Sequence, residues 1–170
     1  VAAIAVALGE RLGRSAYELQ GLQLMGLLYD IGKVGIPTEI LSKPTRLGPE
    51  ELELMRQHPQ MGWRMIRTIP FLQAAAEIVL SHQERWDGSG YPRGLAGEAI
   101  PMGARIFAVA DTLDAMTSDR PYRKGTSFLD ARREIARCSS TQFDPRCVAA
   151  FLSIDEATWG ALARPRRSGP

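Results

Sequence analysis

Two histidines and two aspartates are the residues of this 170-residue chain best suited to hold a metal ion. Asp30, His58, His82 and Asp111 combine hard carboxylates with imidazoles, a donor set that suits iron, manganese or zinc. His58 and His82 are the only histidines, and each stands at the end of a predicted helix beside a loop. Taken alone the pattern is weak, because helix capping or surface hydrogen bonding explains such residues equally well.

Helices joined by loops must bring these residues together. The apolar stretch VAAIAVALGERLG predicts a first helix, and Ser15 with Glu18 forms a capping box before leucines that recur at helical spacing up to Asp30. Residues 32–47 lack helical periodicity and are predicted to form a structured loop. Pro49 begins a further helix that runs towards His58.

The second half of the chain follows the same plan around one long loop. Pro70 is expected to start the helix FLQAAAEIVLSHQE, and the segment RWDGSGYPRGLAGEAIP has too many Gly and Pro residues to continue it. Periodicity resumes from Ile106, breaks near Ser118, and two more helices begin at the capping residues Ser127 and Asp144. Strand-like alternation is nowhere sustained, so the predicted fold class is all-α, a single helical bundle.

Composition narrows the class of protein further. With 45% hydrophobic residues the chain can bury one sizeable core, and a net charge of +2 argues against a nucleic-acid-binding protein. Cys138 and Cys147 fit neither a disulfide framework nor a zinc motif. No apolar run approaches the roughly 18 residues of a membrane span, and no secretory signal opens the sequence. A cytoplasmic location is expected.

Four segments of the sequence resemble, in order and spacing, the motif blocks of HD-GYP domains. They are LLYDIGKVGIPTEILSKP, QHPQMG, SHQERWDGSGYPRGLAGEAIP and ARIFAVADTLDAMTSDRPYR, and together they cover nearly the whole chain. The resemblance implies an all-helical bundle of the HD superfamily, with a long Gly/Pro-rich GYP loop. It also implies a bacterial signalling enzyme that uses two or three metal ions, often iron, to hydrolyse cyclic di-GMP.

The resemblance assigns roles by position. Asp30 matches the aspartate of the His-Asp doublet and is expected to be catalytic and metal-binding, while the other expected metal ligands are His58, His82 and Asp111. Lys33 matches the catalytic lysine near the scissile phosphate, although a solvated loop lysine is the plain alternative. The substrate-binding residues implied are Lys33, Gly90, Tyr91, Pro92, Arg120 and Arg123. The GYP loop, which includes Gly88, is equally compatible with a structural lid.

Two positions depart from the family pattern. Tyr29 stands where the doublet normally has histidine, and Gln83 replaces the second histidine of a His-His pair. A neutral phenol and an amide oxygen are both poor ligands. Two further family ligands would precede Val1. The sequence therefore predicts a reduced site of one to two divalent ions, with iron or manganese expected.

Two functional hypotheses remain open at this stage. The first is a phosphodiesterase, weakened by its lost ligands, that opens cyclic di-GMP to pGpG or GMP. The second is a degenerate module that binds cyclic di-GMP, or a signalling partner such as a GGDEF-type cyclase, without hydrolysis. A P-loop hydrolase is excluded, because Val34 follows Lys33 where Ser or Thr is required.

The domain organisation predicted is one HD-GYP-type domain over residues 1–156 and a basic, flexible tail over residues 157–170. Because the chain starts within an apolar helix pattern, its first helix is expected to be truncated. An upstream receiver or sensor domain is expected in the full protein, and a homodimer is a further possibility. No nucleic-acid partner is expected.

Overall fold

The structure, a computed structural model of the chain, describes residues 1–119 and 124–163, the last four by backbone alone. Within these ranges the chain forms ten α-helices and three short 3₁₀ segments. The helices are α1 (Ala2–Arg11), α2 (Ala16–Leu28), α3 (Thr38–Leu41), α4 (Pro49–Met55), α5 (His58–Ile66), α6 (Gln73–Ser81), α7 (Met102–Thr117), α8 (Phe128–Arg137), α9 (Pro145–Leu152) and α10 (Glu156–Ala163). The 3₁₀ segments are Ile31–Gly35, Pro70–Leu72 and Gly97–Ala99.

The predicted all-α fold class is confirmed. The described ranges contain no β-strand, only isolated bridges such as that between Asp87 and Ala96. The predicted caps also form, since Ser15 and Glu18 close a capping box at α2 and the Ser127 side chain accepts a hydrogen bond from the Asp130 backbone N–H. No helix in the part of the chain described is long and apolar enough to cross a bilayer.

Residues 32–47 are more regular than the sequence predicts. The 3₁₀ segment Ile31–Gly35 and the four-residue helix α3 both fall within or overlap this stretch. Neither segment completes two helical turns, so neither shows a hydrophobic periodicity that could be recognised in the sequence. Pro37 stands immediately before α3, where its missing N–H costs nothing.

The core lies where α1, α2, α6 and α7 pack together, with α8 and α9 against α7. Its members are almost fully buried and include Leu8, Met25, Val79, Ile106 and Phe107. Burial of each large side chain contributes about 1.5–3 kcal/mol, which makes this cluster the main source of stability. Of the residues expected to bind metal, Asp111 lies on α7 and His82 follows α6, whereas His58 begins α5 outside this group of helices.

The chain stays folded into the segment predicted to be a flexible tail. Helix α10 covers its first residues, and the Trp159 side chain is buried with its ring 5.4 Å from that of Phe151. The structure therefore differs from the sequence-based expectation over residues 157–163, because one tryptophan fills a gap in the core. Residues 164–170 lie outside the described ranges, and the division at residue 156 stays a prediction.

A buried ion pair ties α7 to α9. Asp144 Oδ2 lies 2.8 Å from Arg105 Nη1, and the two side chains are 0% and 9% exposed. Asp144 also caps α9, as predicted, by accepting a hydrogen bond from the Arg146 backbone N–H. One carboxylate thus both caps the N-terminus of a helix and neutralises a buried guanidinium.

Substitution Asp144→Ala should lower the free energy of unfolding by about 3–5 kcal/mol, because it removes a cap and leaves Arg105 buried without its counter-ion. Urea denaturation measures the change. Asp155→Ala is the matched control, since Asp155 accepts a hydrogen bond from the Thr158 backbone N–H on an exposed surface. That control should lower the free energy of unfolding much less, because the bond it removes is open to solvent. Equal losses for the two variants would contradict the role given to the buried pair.

Candidate metal centre

Asp30, His58 and His82 form a compact cluster. One possible ligand atom from each residue lies within 4.8 Å of the other two. Asp30 immediately precedes the 3₁₀ segment Ile31–Gly35, His58 is the first residue of α5, and His82 caps the end of α6. Helix ends rather than helix faces therefore supply all three side chains.

The two imidazole rings are oriented by the backbone of their own helices. Nδ1 of His58 lies 2.7 Å from the Met55 carbonyl oxygen, and Nδ1 of His82 lies 2.8 Å from that of Val79. Because a carbonyl oxygen only accepts, each Nδ1 must carry the proton. Both Nε2 atoms then present lone pairs, and these atoms face each other 3.2 Å apart.

This arrangement fits a cation between the two rings. Burial lowers the pKa of both histidines, that of His82 to about 4, so neither ring carries a second proton near neutral pH. Two opposed lone pairs repel unless a positive centre lies between them. Deprotonated imidazole nitrogens whose other N–H is held by a carbonyl are the usual ligands of a protein-bound metal. The donor set of the triad therefore matches a divalent metal.

Asp30 and Lys33 complete the charged part of the site. Lys33 Nζ lies 2.7 Å from Asp30 Oδ2, and Asp30 Oδ1 lies 3.8 Å from His58 Nε2. In a 3₁₀ turn, side chains three residues apart lie on the same side, which is why these two meet. Lys33 is 40% and Asp30 33% exposed, so this ion pair borders solvent while the two histidines are buried.

Gly32 allows the 3₁₀ segment to approach α5. A Cβ atom at this position would overlap the backbone carbonyl oxygen of His58 and the amide nitrogen of Gly62. A Cβ on Gly62 would in turn lie 2.9 Å from the Val79 side chain and 3.2 Å from the Gly32 nitrogen. Two glycines at one crossing point thus set the distance between Asp30 and His58.

A polar cavity of about 290 Å³ opens beside the triad. Its lining includes five residues that the sequence singles out: His82, Gln83, Gly90, Tyr91 and Asp111. Asp111 lies outside the cluster of three but in the same cavity as His82, and its role as a ligand stays a prediction. The other lining residues are Arg56, Glu84, Arg85, Ser89, Ala108, Thr112 and Gln142.

Tyr29 is packed among aromatic side chains. Its ring centroid lies 5.9 Å from that of His82 and 5.2 Å from that of Phe107. The residue at the altered position of the doublet therefore supports the His82 ring through an edge contact. The Trp86 ring, in the loop after α6, lies 5.9 Å from the Arg105 guanidinium.

Glu84 holds the GYP loop by hydrogen bonds to the backbone of the loop. Its carboxylate is buried and accepts hydrogen bonds from the backbone N–H groups of Arg93 and Leu95, at 2.8 and 3.0 Å. Arg85 and Asp87 form a further, partly exposed ion pair in the loop at 3.9 Å. A buried carboxylate bound by two amides fixes the loop beyond Pro92 against the end of α6.

The cavity differs from the sequence-based expectation in two residues that it adds, and two expected residues are not described. Arg120 and Arg123, expected to contact phosphate, lie outside the described residues. Arg56 and Gln142 line the cavity although the sequence did not single them out. The only indication in the sequence that Arg56 lies at the cavity is its position two residues before His58. No sequence pattern indicates Gln142, because a hydrogen bond from the Trp86 backbone N–H to the Gln142 carbonyl oxygen brings it to the cavity.

Fold and site together define an all-helical domain with a histidine–aspartate metal-ligand cluster. A family model described as "HD domain" matches residues 1–147. The chain therefore belongs to the HD domain family, and the predicted resemblance to the HD-GYP group is confirmed.

Curated relatives and solved structures agree with this placement. The chain is similar to a cyclic di-GMP phosphodiesterase of Thermotoga maritima, 46% identical over 151 residues, which are 88% of this chain and 41% of the relative. It is 42% identical to the cyclic di-GMP phosphodiesterase response regulator RpfG of Xanthomonas campestris, over 88% of this chain and 40% of the relative. The chain thus spans about two fifths of these relatives. A crystal structure of a cyclic GMP-AMP specific phosphodiesterase from Vibrio cholerae shares the fold, with a TM-score of 0.75 and 24% identity over 96% of this chain and 45% of that one.

Substitution Gly32→Ala should lower the free energy of unfolding by about 3 kcal/mol, since the new methyl group must displace the His58 carbonyl. It should also reduce the metal bound per chain, because Asp30 moves away from the two histidines. Urea denaturation and elemental analysis measure the two effects.

Gly48→Ala is the control for this substitution. Its Cβ would meet only a Glu51 carboxylate oxygen, at 3.6 Å, so the loss should stay below about 1 kcal/mol with the metal content unchanged. If Gly32→Ala kept both normal stability and normal metal content, the close approach would not be what positions Asp30.

Proposed function

We propose that this chain is a metal-dependent phosphodiesterase that hydrolyses cyclic di-GMP to pGpG or GMP in bacterial second-messenger signalling. The observation that carries the proposal is the triad of Asp30, His58 and His82, with two Nε2 lone pairs facing each other at the edge of a polar cavity. The names of the relatives at 42–46% identity support cyclic di-GMP as substrate.

Each residue of the site has a distinct part in this proposal. Asp30, His58 and His82 hold the ion, iron or manganese, and Asp111 supplies a further carboxylate to it. Such an ion lowers the pKa of bound water and stabilises charge on phosphoryl oxygens. Lys33, paired with Asp30 at the mouth of the triad, orients the scissile phosphate by its charge. The remaining substrate contacts proposed are Gly90, Tyr91, Pro92, Arg120 and Arg123.

The site is proposed to hold one to two metal ions. The altered positions support a reduced site, since the Tyr29 ring packs on Phe107 and Gln83 offers the cavity an amide in place of an imidazole. Three strong ligands suffice for one ion with open positions for water and substrate.

A second candidate function follows from the same two positions. If Tyr29 and Gln83 abolish turnover, the domain becomes a module that binds cyclic di-GMP or a partner such as a GGDEF-type cyclase. In either case we propose a cytoplasmic protein with an upstream receiver or sensor domain, and a homodimer is a possible assembly. The response-regulator name of one relative supports the upstream receiver domain.

The deciding experiment measures metal content and turnover of cyclic di-GMP on protein purified without oxygen. Asp30→Asn should lose both metal and turnover. Lys33→Met should keep the metal and lower turnover about 100-fold, as expected for a lost electrostatic contact to the phosphate. Lys43→Met is the matched control, because Lys43 pairs with Glu51 away from the triad. Metal binding without any turnover by the unsubstituted protein would exclude the enzyme and leave the binding module.

Restoring the family ligands should strengthen the site. The double substitution Tyr29→His with Gln83→His should raise the metal content from about one towards two ions per chain and increase the turnover rate, since a two-metal site holds both oxygens of the displacement. Tyr17→His, on the exposed part of α2, is the control and should change neither quantity. An unchanged metal content in the double variant would show that these two positions do not limit metal binding.

A further inference from the structure

A second cavity adjoins the one that contains His82, and we call it the outer cavity. Its volume is about 330 Å³, and the two cavities share Arg56 and Tyr91. The outer cavity is lined by Glu53, Arg56, Gln57, Gln60, Tyr91 and Pro92. Apart from Arg56, Tyr91 and Pro92, none of these residues lines the cavity beside the triad or has a part in the proposed hydrolysis.

Three side chains connect the triad to the outer cavity. The Tyr91 ring lies edge-on to the His58 ring with centroids 6.4 Å apart, and the Arg56 guanidinium lies 5.6 Å from the centre of the Tyr91 ring. The pKa of the Tyr91 phenol is raised mainly by burial, while the charges of Arg56 and Asp30 act on it in opposite directions. A ligand with its phosphate at the triad therefore reaches Arg56 by passing along Tyr91.

Arg56 offers a flat surface to a ligand in the outer cavity. A guanidinium is planar, and nucleobases stack on such planes as they do on aromatic rings. The Arg56 side chain is 46% exposed, so it is held at the cavity without being covered. Its backbone position is fixed as well, because the preceding carbonyl, that of Met55, accepts the His58 Nδ1–H hydrogen bond.

The polar groups around Arg56 match the edge of guanine. Glu53 Oε1 accepts a hydrogen bond from Arg56 Nη1 at 2.9 Å, and a carboxylate retains further lone pairs after one such bond. Guanine presents two adjacent donors, N1–H and the N2 amino group, to a carboxylate, whereas adenine presents an acceptor at N1. Gln57 and Gln60 line the same cavity and add side-chain amides to it.

We propose that the outer cavity binds a guanine base of the cyclic dinucleotide, stacked on Arg56 and hydrogen-bonded through its N1 and N2 edge to Glu53. This inference rests on the proposed function for the identity of the dinucleotide. Glu53 and Arg56 are then specificity-determining residues that distinguish guanine from adenine. They act by binding and take no part in the chemical step.

The test compares dissociation constants for cyclic di-GMP and cyclic di-AMP, measured by calorimetry on the metal-loaded protein. Glu53→Gln should weaken binding of cyclic di-GMP about tenfold and change that of cyclic di-AMP less than about twofold, because only guanine loses paired donors. Arg56→Gln should weaken binding of both about tenfold, since stacking serves any base. The measured quantity is the ratio of the two dissociation constants. Loss of folding affects the binding of both ligands alike and does not change this ratio.

Glu50→Gln is the matched control, an identical change on the same helix at an exposed position outside the cavity lining. It should leave both constants unchanged. The inference would be overturned if Glu53→Gln left the ratio of the two dissociation constants unchanged. It would also be overturned if the unsubstituted protein did not bind cyclic di-GMP. Binding requires no turnover, so the two proposals separate. A shifted ratio without hydrolysis rejects the phosphodiesterase and keeps the guanine site, while normal hydrolysis with an unshifted ratio does the reverse.

Discussion

The close crossing of the 3₁₀ segment Ile31–Gly35 over α5 is the constraint on which the site depends. Gly32 lies against the His58 carbonyl and the Gly62 amide at a distance that excludes any side chain. Rigid contact between two backbones fixes the separation of the candidate ligands that they carry. Asp30 and Lys33 are therefore placed relative to His58 by the packing of main chain, which is less adaptable than the packing of side chains.

Helix ends provide the second fixed element. His58 and His82 each donate an Nδ1–H hydrogen bond to the carbonyl of the residue three positions earlier. These local bonds select one tautomer and turn both Nε2 atoms into the space between the rings. Burial then keeps the rings neutral by lowering the pKa of each. The folded chain thus holds two lone pairs in mutual repulsion, at a cost that its core must offset, and a bound cation relieves that repulsion.

The departures from the family pattern affect different parts of this arrangement. Tyr29 has become part of the aromatic packing beneath His82, so the altered doublet still supports the remaining histidine. Gln83 remains at the wall of the cavity, where it presents polar atoms but no imidazole. The loop that surrounds the cavity is meanwhile secured by the Glu84 carboxylate, independently of any metal. The shape of this cavity is therefore maintained although two positions depart from the family pattern.

The sequence by itself determined the helices whose signals are local. Ser15, Ser127 and Asp144 cap helices because each bonds to backbone amides two or three residues away. The motif blocks likewise gave the family and the candidate ligands. Only the tertiary structure decided that Trp159 enters the core, that Glu84 binds the amides of Arg93 and Leu95, and that Arg56 stands over Tyr91. Some of these contacts join residues that are distant in sequence. Others depend on the course of a loop, which no hydrophobic periodicity predicts. Both kinds form only when the helices pack together.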